Sequence, residues 1–217
     1  DYTWPGNVRE LENAIERVYG SEGEKLIVPP MVRFASWVGG DMDGNPNVNA
    51  KTIRLTLARQ RSLILDLYYR ECGTLSEKLS QSTNRLGYDP RMSKKIEQYR
   101  IPFQHAYHSF PARHRNMPYR VFLRLVQERL QATYDDDAYP YESADELYDD
   151  IALIADSLEA NKGQYAGLFA TKRLLRRIEP FGFHFMTLDV RQDAMVLRQV
   201  VGELLGLDNW LDMPAAQ

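Results

Sequence analysis

Phe34-Ala35-Ser36-Trp37-Val38-Gly39-Gly40-Asp41-Met42-Asp43-Gly44-Asn45-Pro46 begins as a β-strand and breaks into an acidic, glycine-rich loop. Residues 32–38 concentrate the β-branched and aromatic side chains that fit a pleated surface, and the loop holds the turn formers Gly, Asp, Asn and Pro. A second stretch of the same kind, 183–190, runs into Asp189-Val190-Arg191-Gln192. Nearly everything between the two shows helical periodicity. Strands so far apart cannot make a sheet with their sequence neighbours. The pattern predicts a mostly α chain: the helix-rich segment of an α/β, TIM-like barrel, with strands near 32–38 and 183–190 and the remaining strands supplied elsewhere in a parent protein. In such barrels the chemistry sits beyond the carboxyl ends of the strands, so both acidic loops should fall on one side.

Outward from the first loop, Asn49 can cap a helix running to about residue 71, with Ile53, Leu57, Ile64 and Tyr68 on one face. Thr74 and Glu77 have the spacing of a capping box and predict a second helix. Pro118, just ahead of Val121, Phe122, Leu125, Val126 and Leu130, predicts a third. Ser143 and Glu146 form another capping box before the stripe Leu147, Ile151, Ile154, Leu158. A further helix is expected over 164–178, with Arg173, Arg176 and Arg177 where the helix dipole favours cations, stopped by Pro180 and Gly182. A last one bears Leu197, Val201 and Leu204.

The composition of the 217 residues, 44% hydrophobic and 26% charged, is that of an ordinary globular core, and a net charge of −3 gives no general attraction for nucleic acid or anionic membranes. Cys72 is the only cysteine, which rules out an intramolecular disulfide and a cysteine-based zinc site and fits a reducing cytoplasm. No apolar stretch approaches the ~20 residues that span a bilayer. Asp1 stands where an initiator methionine would, so something is expected to precede it.

Two carboxylates, three glycines and an amide within the loop suit close approach of backbone to a phosphate or a metal. The plain alternative is a solvated turn between strand and helix. A calcium-binding EF-hand loop starting at Asp41 is excluded, because Pro46 stands where that loop needs its glycine and Thr52 where it needs its closing glutamate. His105, His108 and His114 cluster with Arg113 and Arg115 in a loop-like stretch that could take a metal or an anion, against a plain reading as surface. His184, alternating with Phe183 and Phe185, reads as a hydrogen-bonded strand residue, and Asp135, Asp136 and Asp137 as solvated surface.

Residues 34–48 closely resemble the phosphoenolpyruvate carboxylase signature. Pro118-Tyr119-Arg120 is similar to that family's central region, and Phe181-Gly182 with Leu188-Asp189-Val190-Arg191-Gln192 to its later strand motif; the resemblance covers about residues 14–217. It implies a magnesium- or manganese-dependent carboxylation of phosphoenolpyruvate by bicarbonate, giving oxaloacetate and phosphate, in a cytoplasmic enzyme that is a homo-oligomer when complete. It also implies that Asp189 is a metal ligand and that Asp41, Asp43, Asn45 and Arg191 are catalytic positions. Two residues depart from the family pattern: Met42 stands where the family carries an arginine, and Ala152 where it carries a second metal-binding glutamate, with Asp149, Asp150 and Asp156 as nearby substitutes. The family's catalytic histidines and its glycine-rich arginine loop are not in this chain, so the segment alone is expected to be inactive.

Residues 2–17, Tyr-Thr-Trp-Pro-Gly-Asn-Val-Arg and onward, instead resemble the sensor helix of bacterial enhancer-binding AAA+ transcription activators, with Arg9 at the nucleotide-sensing position. No G-x-x-x-x-G-K-[ST] phosphate loop accompanies it. The expected division is therefore 1–17, an amphipathic helix of separate character, and 18–217, the carboxylase-like segment. Two other readings stand beside the leading one: a noncatalytic helical scaffold, favoured by Met42 and Ala152, and a fragment of an AAA+ regulator, favoured by residues 2–17 alone.

Overall fold

The computed structural model of the chain describes residues 32–83, 87–207 and 210–212; the helix and the boundary expected around residues 1–17 lie outside them. The described chain is helix-rich, with one small parallel sheet. Strand β1 is Ala35–Ser36 and strand β2 is Thr187–Leu188. Between them run α1 (Ala50–Lys78), α2 (Pro90–Arg100), α3 (Gln104–Ser109), α4 (Pro118–Asp135), α5 (Ala144–Ala160) and α6 (Phe169–Phe181), and α7 (Ala194–Leu205) follows.

Local chemistry explains most of these boundaries. Asn49 accepts from the amides of Lys51 and Thr52 at 2.9 and 3.2 Å and so starts α1. Asp89 accepts from the Arg91 amide and Pro90 opens α2, a helix the sequence reading did not single out. The core is built where the stripes of α1, α4, α5 and α6 meet. All of Val121, Phe122, Leu125, Val126 and Leu130 are buried, as are Leu147, Ile151, Ile154 and Leu158. On α1 the buried stripe is Ile64, Leu65, Tyr68, Cys72 and Leu75, whereas Leu57 is exposed: the helix enters the core only over its second half.

Several expectations are corrected. Thr74 caps nothing, because α1 runs straight through it and its hydroxyl donates to the Arg70 carbonyl at 3.1 Å. Ser143 does precede α5, but without a side-chain capping bond, and Glu146 is engaged by Arg129 instead. The helix expected over 164–178 opens with a wide turn, Gln164–Leu168, and continues past Pro180 to Phe181, ending at Gly182. His105 and His108 lie on α3 and His114 in the short turn Ala112–His114, not in one loop. The strands are far shorter than 32–38 and 183–190, and they pair with each other. Residues 183–186 form a turn in which Phe185 has φ +67°, so His184 is not a strand residue.

What holds the two strands near one another is a clasp between α1 and α6. The buried Tyr68 hydroxyl of α1 donates to the carbonyls of Gly182 at 3.0 Å and Arg177 at 3.3 Å, and Glu71 pairs with Arg177. One turn further along α1, Cys72 is sealed in the core; burial, and then the charge of Asp150, push its thiol up to about 12. The nucleophilic thiolate is thus scarce at neutral pH. Cys72 should resist a thiol-specific reagent in the native protein and react fully in denaturant; native labelling at the rate of a free cysteine would show that this core opens readily.

Candidate active site

The parallel pair sets Ala35 beside Thr187 and Ser36 beside Leu188, with the amides of Thr187 and Asp189 each donating over 2.9 Å, to the carbonyls of Phe34 and Ser36. Past the strands the two chains stay together. The Arg191 amide donates to the Gly40 carbonyl at 3.0 Å and the Met42 amide to the Arg191 carbonyl at 2.8 Å, bridging Asp41 and Arg191. The acidic loops thus meet on one side, as their strand-end positions predict.

Glycine makes this approach possible. A Cβ on Gly40 would stand 2.4 Å from the Asp189 carbonyl oxygen, and one on Gly39, at φ +83°, would stand 2.3 Å from Thr56 Oγ1. These glycines make room for the chain's own backbone and for α1. The rest of the loop is folded on itself: Asp41 Oδ1 accepts from the Asp43 amide at 3.3 Å and Asn45 Oδ1 from the Asn47 amide at 3.1 Å.

The side chains divide clearly. Arg191 Nη1 lies 3.5 Å from Asp41 Oδ2, an open ion pair of the kind worth ~0–1 kcal/mol. Gln192 Nε2 reaches the Met42 thioether at 4.0 Å. Asp189 is exposed, and no described residue hydrogen-bonds to its carboxylate or pairs with it. Asp43 and Asn45 are also exposed, further along the loop and without a bond to the second segment. Asp193 closes the site by capping α7, accepting from the amides of Met195 and Val196 at 2.8 and 3.3 Å.

The substitutes considered for the missing glutamate do not gather here. Asp150 is fully buried between α2 and α5, where the hydroxyls of Tyr99 and Tyr141 donate to it at 2.7 and 2.8 Å and Lys95 Nζ lies at 2.9 Å. Both hydroxyls bind Oδ2, while Oδ1 has the Lys95 ion pair and no hydrogen bond, so this is a core carboxylate held by one ion pair and two tyrosines. Asp156 pairs with Arg91 at 3.4 Å, and Asp149 is exposed on the same helix as the half-buried Ala152. Among the described residues no group of three or more His, Cys, Asp or Glu gathers to hold a metal ion. That includes the histidine cluster: His114 Nε2 faces Arg120 Nη1 at 3.1 Å and Arg113 Nε at 3.4 Å, and partial burial, then the cations of Arg120, Arg113 and Arg124, hold its pKa below the usual value. Arg120 itself donates to the Ser76 and Glu77 carbonyls at the end of α1. The sequence reading passed over Gln192 and Thr56 as neighbours of the loop; only the Gly-Gly pair hinted that something must approach it closely.

The family model described as phosphoenolpyruvate carboxylase matches residues 2–214, and the chain belongs to that family. The phosphoenolpyruvate carboxylase of Xanthomonas oryzae pv. oryzae (strain MAFF 311018) is 48% identical over 200 residues, which cover 92% of this chain and 22% of the relative. That of Nocardia farcinica (strain IFM 10152) is 36% identical over 199 residues, covering 84% of this chain and 20% of the relative. That of Ralstonia nicotianae (strain ATCC BAA-1114 / GMI1000) is 34% identical over 211 residues, covering 93% and 21%. The chain therefore spans about a fifth of the length of the curated relatives it matches. The family match runs through residues 2–17 as well, and neither the scaffold nor the AAA+ reading finds support in these matches. Among the described residues no helix is long and apolar enough to cross a membrane.

The geometry makes Gly40, which abuts the Asp189 backbone, a sensitive position of the site. Gly40→Ala should part the two segments at a cost of about 1–3 kcal/mol, the usual range for overpacking. Faster hydrogen exchange at the Met42 and Arg191 amides would report it, and unchanged exchange would show that the contact yields without strain.

Proposed function

We propose that this chain forms one side of the active site of a phosphoenolpyruvate carboxylase, a lyase that joins bicarbonate to phosphoenolpyruvate to give oxaloacetate and phosphate. In this reading the two strands belong to an α/β barrel completed by the rest of the enzyme, which works in the cytoplasm as a homo-oligomer with Mg2+ or Mn2+. The observation that carries it is the free, exposed carboxylate of Asp189 at a strand end, beside the Asp41–Arg191 pair, in a chain of this family.

A hard divalent cation takes several oxygen ligands, and Asp189 is the right donor type but a single one. The remaining ligands come from outside the described residues. When bound, such an ion supplies positive charge against phosphate and against the oxygen that becomes negative. The chain's own contribution is to hold that carboxylate still through the Asp189 amide and carbonyl, and to present Arg191 toward an anionic substrate, steadied by Asp41. Met42 cannot supply a charge, so the cation that the loop itself engages, Arg191, takes this task.

Asp189→Asn in the complete enzyme removes one charge at nearly constant volume. Carboxylation should fall about a hundredfold or more and need more magnesium, several kcal/mol of transition-state stabilisation being at stake, while thermal unfolding barely moves. A folded variant with unchanged rate and metal requirement would make Asp189 structural. The isolated segment, lacking the histidines and arginines that the family resemblance implies, should form no oxaloacetate above background; turnover proportional to its concentration would refute this.

A further inference from the structure

Phe185 sits at φ +67°, a region where a bulky side chain is a genuine outlier and costs about 1–3 kcal/mol. Its surroundings hold it there. Its amide donates to the Phe181 carbonyl at 2.8 Å, and its ring stacks on Phe181 with centroids 5.8 Å apart and planes 29° apart. Phe181 also stacks on Phe34 at 5.2 Å and 21°. The three rings form a column that joins the end of α6 to the residues just ahead of β1 and β2.

The column stands at the leading end of the strand pair, where the Phe34 carbonyl also accepts the first ladder bond, from Thr187. The far end of the same pair carries Gly40, Asp41, Asp189 and Arg191. Strands of two residues have few ladder bonds to fix their register, and a slip by one residue turns every side chain to the opposite face. Asp189 would then project from the opposite face of the pair.

We propose that Phe34, Phe181 and Phe185 are positioning residues, a register clamp whose strained member, Phe185, aims β2 so that Asp189 and Arg191 meet the loop at Asp41. The clamp's geometric part stands alone; its catalytic consequence rests on the carboxylase reading above. Phe185→Gly removes the ring and the strain together. Phe34→Leu interrupts the column at a ring that is 48% exposed and outside the helical core, so it serves where Phe185→Gly does not fold.

The test uses the complete enzyme and two readouts. In either variant the amides of Asp189, Arg191 and Met42 should exchange about tenfold faster, while core amides of α4 and α5 keep their protection. Direct Mn2+ titration should show affinity weakened by a similar factor, with the apparent KM for metal rising more than kcat falls, and Phe185→Tyr, which keeps the ring, should restore both. A lower Tm with unchanged local exchange would reduce the column to packing and overturn the clamp. Asp189→Asn is titrated in parallel: if it binds Mn2+ like the parent enzyme, the metal assignment fails, and the clamp is then decided by the exchange rates alone.

Discussion

Two parallel strands cannot be joined by a tight turn; the chain must leave one, cross over and return in the same direction. Here the crossover is the helical core itself, since Asp41 and Arg191 are 150 residues apart in sequence. The pairing therefore depends on α1, which leads away from the first loop, and α6, which delivers the second strand. Their junction is Tyr68, whose buried hydroxyl satisfies carbonyls at the end of α6, with the Glu71–Arg177 pair beside it. A buried hydroxyl left without those acceptors would cost about 1–3 kcal/mol, so the junction is specific as well as tight.

The site inherits its character from this arrangement. Its charged groups are few and open to solvent, while its precision lies in the backbone: a carbonyl lodged where Gly40 lacks a side chain, and amides exchanged between the two loops. Asp189 contributes to that lattice through its main chain and keeps its carboxylate free. Such a division suits a half-site, in which one chain segment fixes position and leaves coordination to be completed by groups it does not contain. The core polar cluster around Asp150 has the opposite design: the carboxylate is buried, Oδ2 takes the Tyr99 and Tyr141 hydroxyls, Oδ1 lies beside Lys95, and Arg129 is stacked 4.1 Å from the Tyr141 ring.

Much of the helical part was legible because caps and stripes are local. Asn49 and the Leu147–Ile151–Ile154–Leu158 stripe carry their own instructions. Thr74 misled for the same reason: capping-box spacing inside a helix looks like that at its start, and only the tertiary burial of Leu75 and Ser76 keeps α1 running. The aromatic run at 183–185 resembles a strand in composition, yet Phe183 is drawn toward the rings of Tyr68 and Tyr141, at 6.5 and 6.3 Å, and the chain turns there. In the candidate site, the motif singles out the loop and Asp189 as expectations, but the contact of Gly40 with a carbonyl across the fold has no local signature.

The long crossover also bears on how the chain reaches its structure. Contacts distant in sequence are rewarded only after the entropy of closing the intervening loop has been met, whereas helices form from near neighbours. With only two residues in each strand, the β1–β2 ladder has little of its own to drive that closure. The helical bundle is therefore expected to condense first and carry the strand ends together, leaving Asp41 and Arg191 among the last residues to find one another.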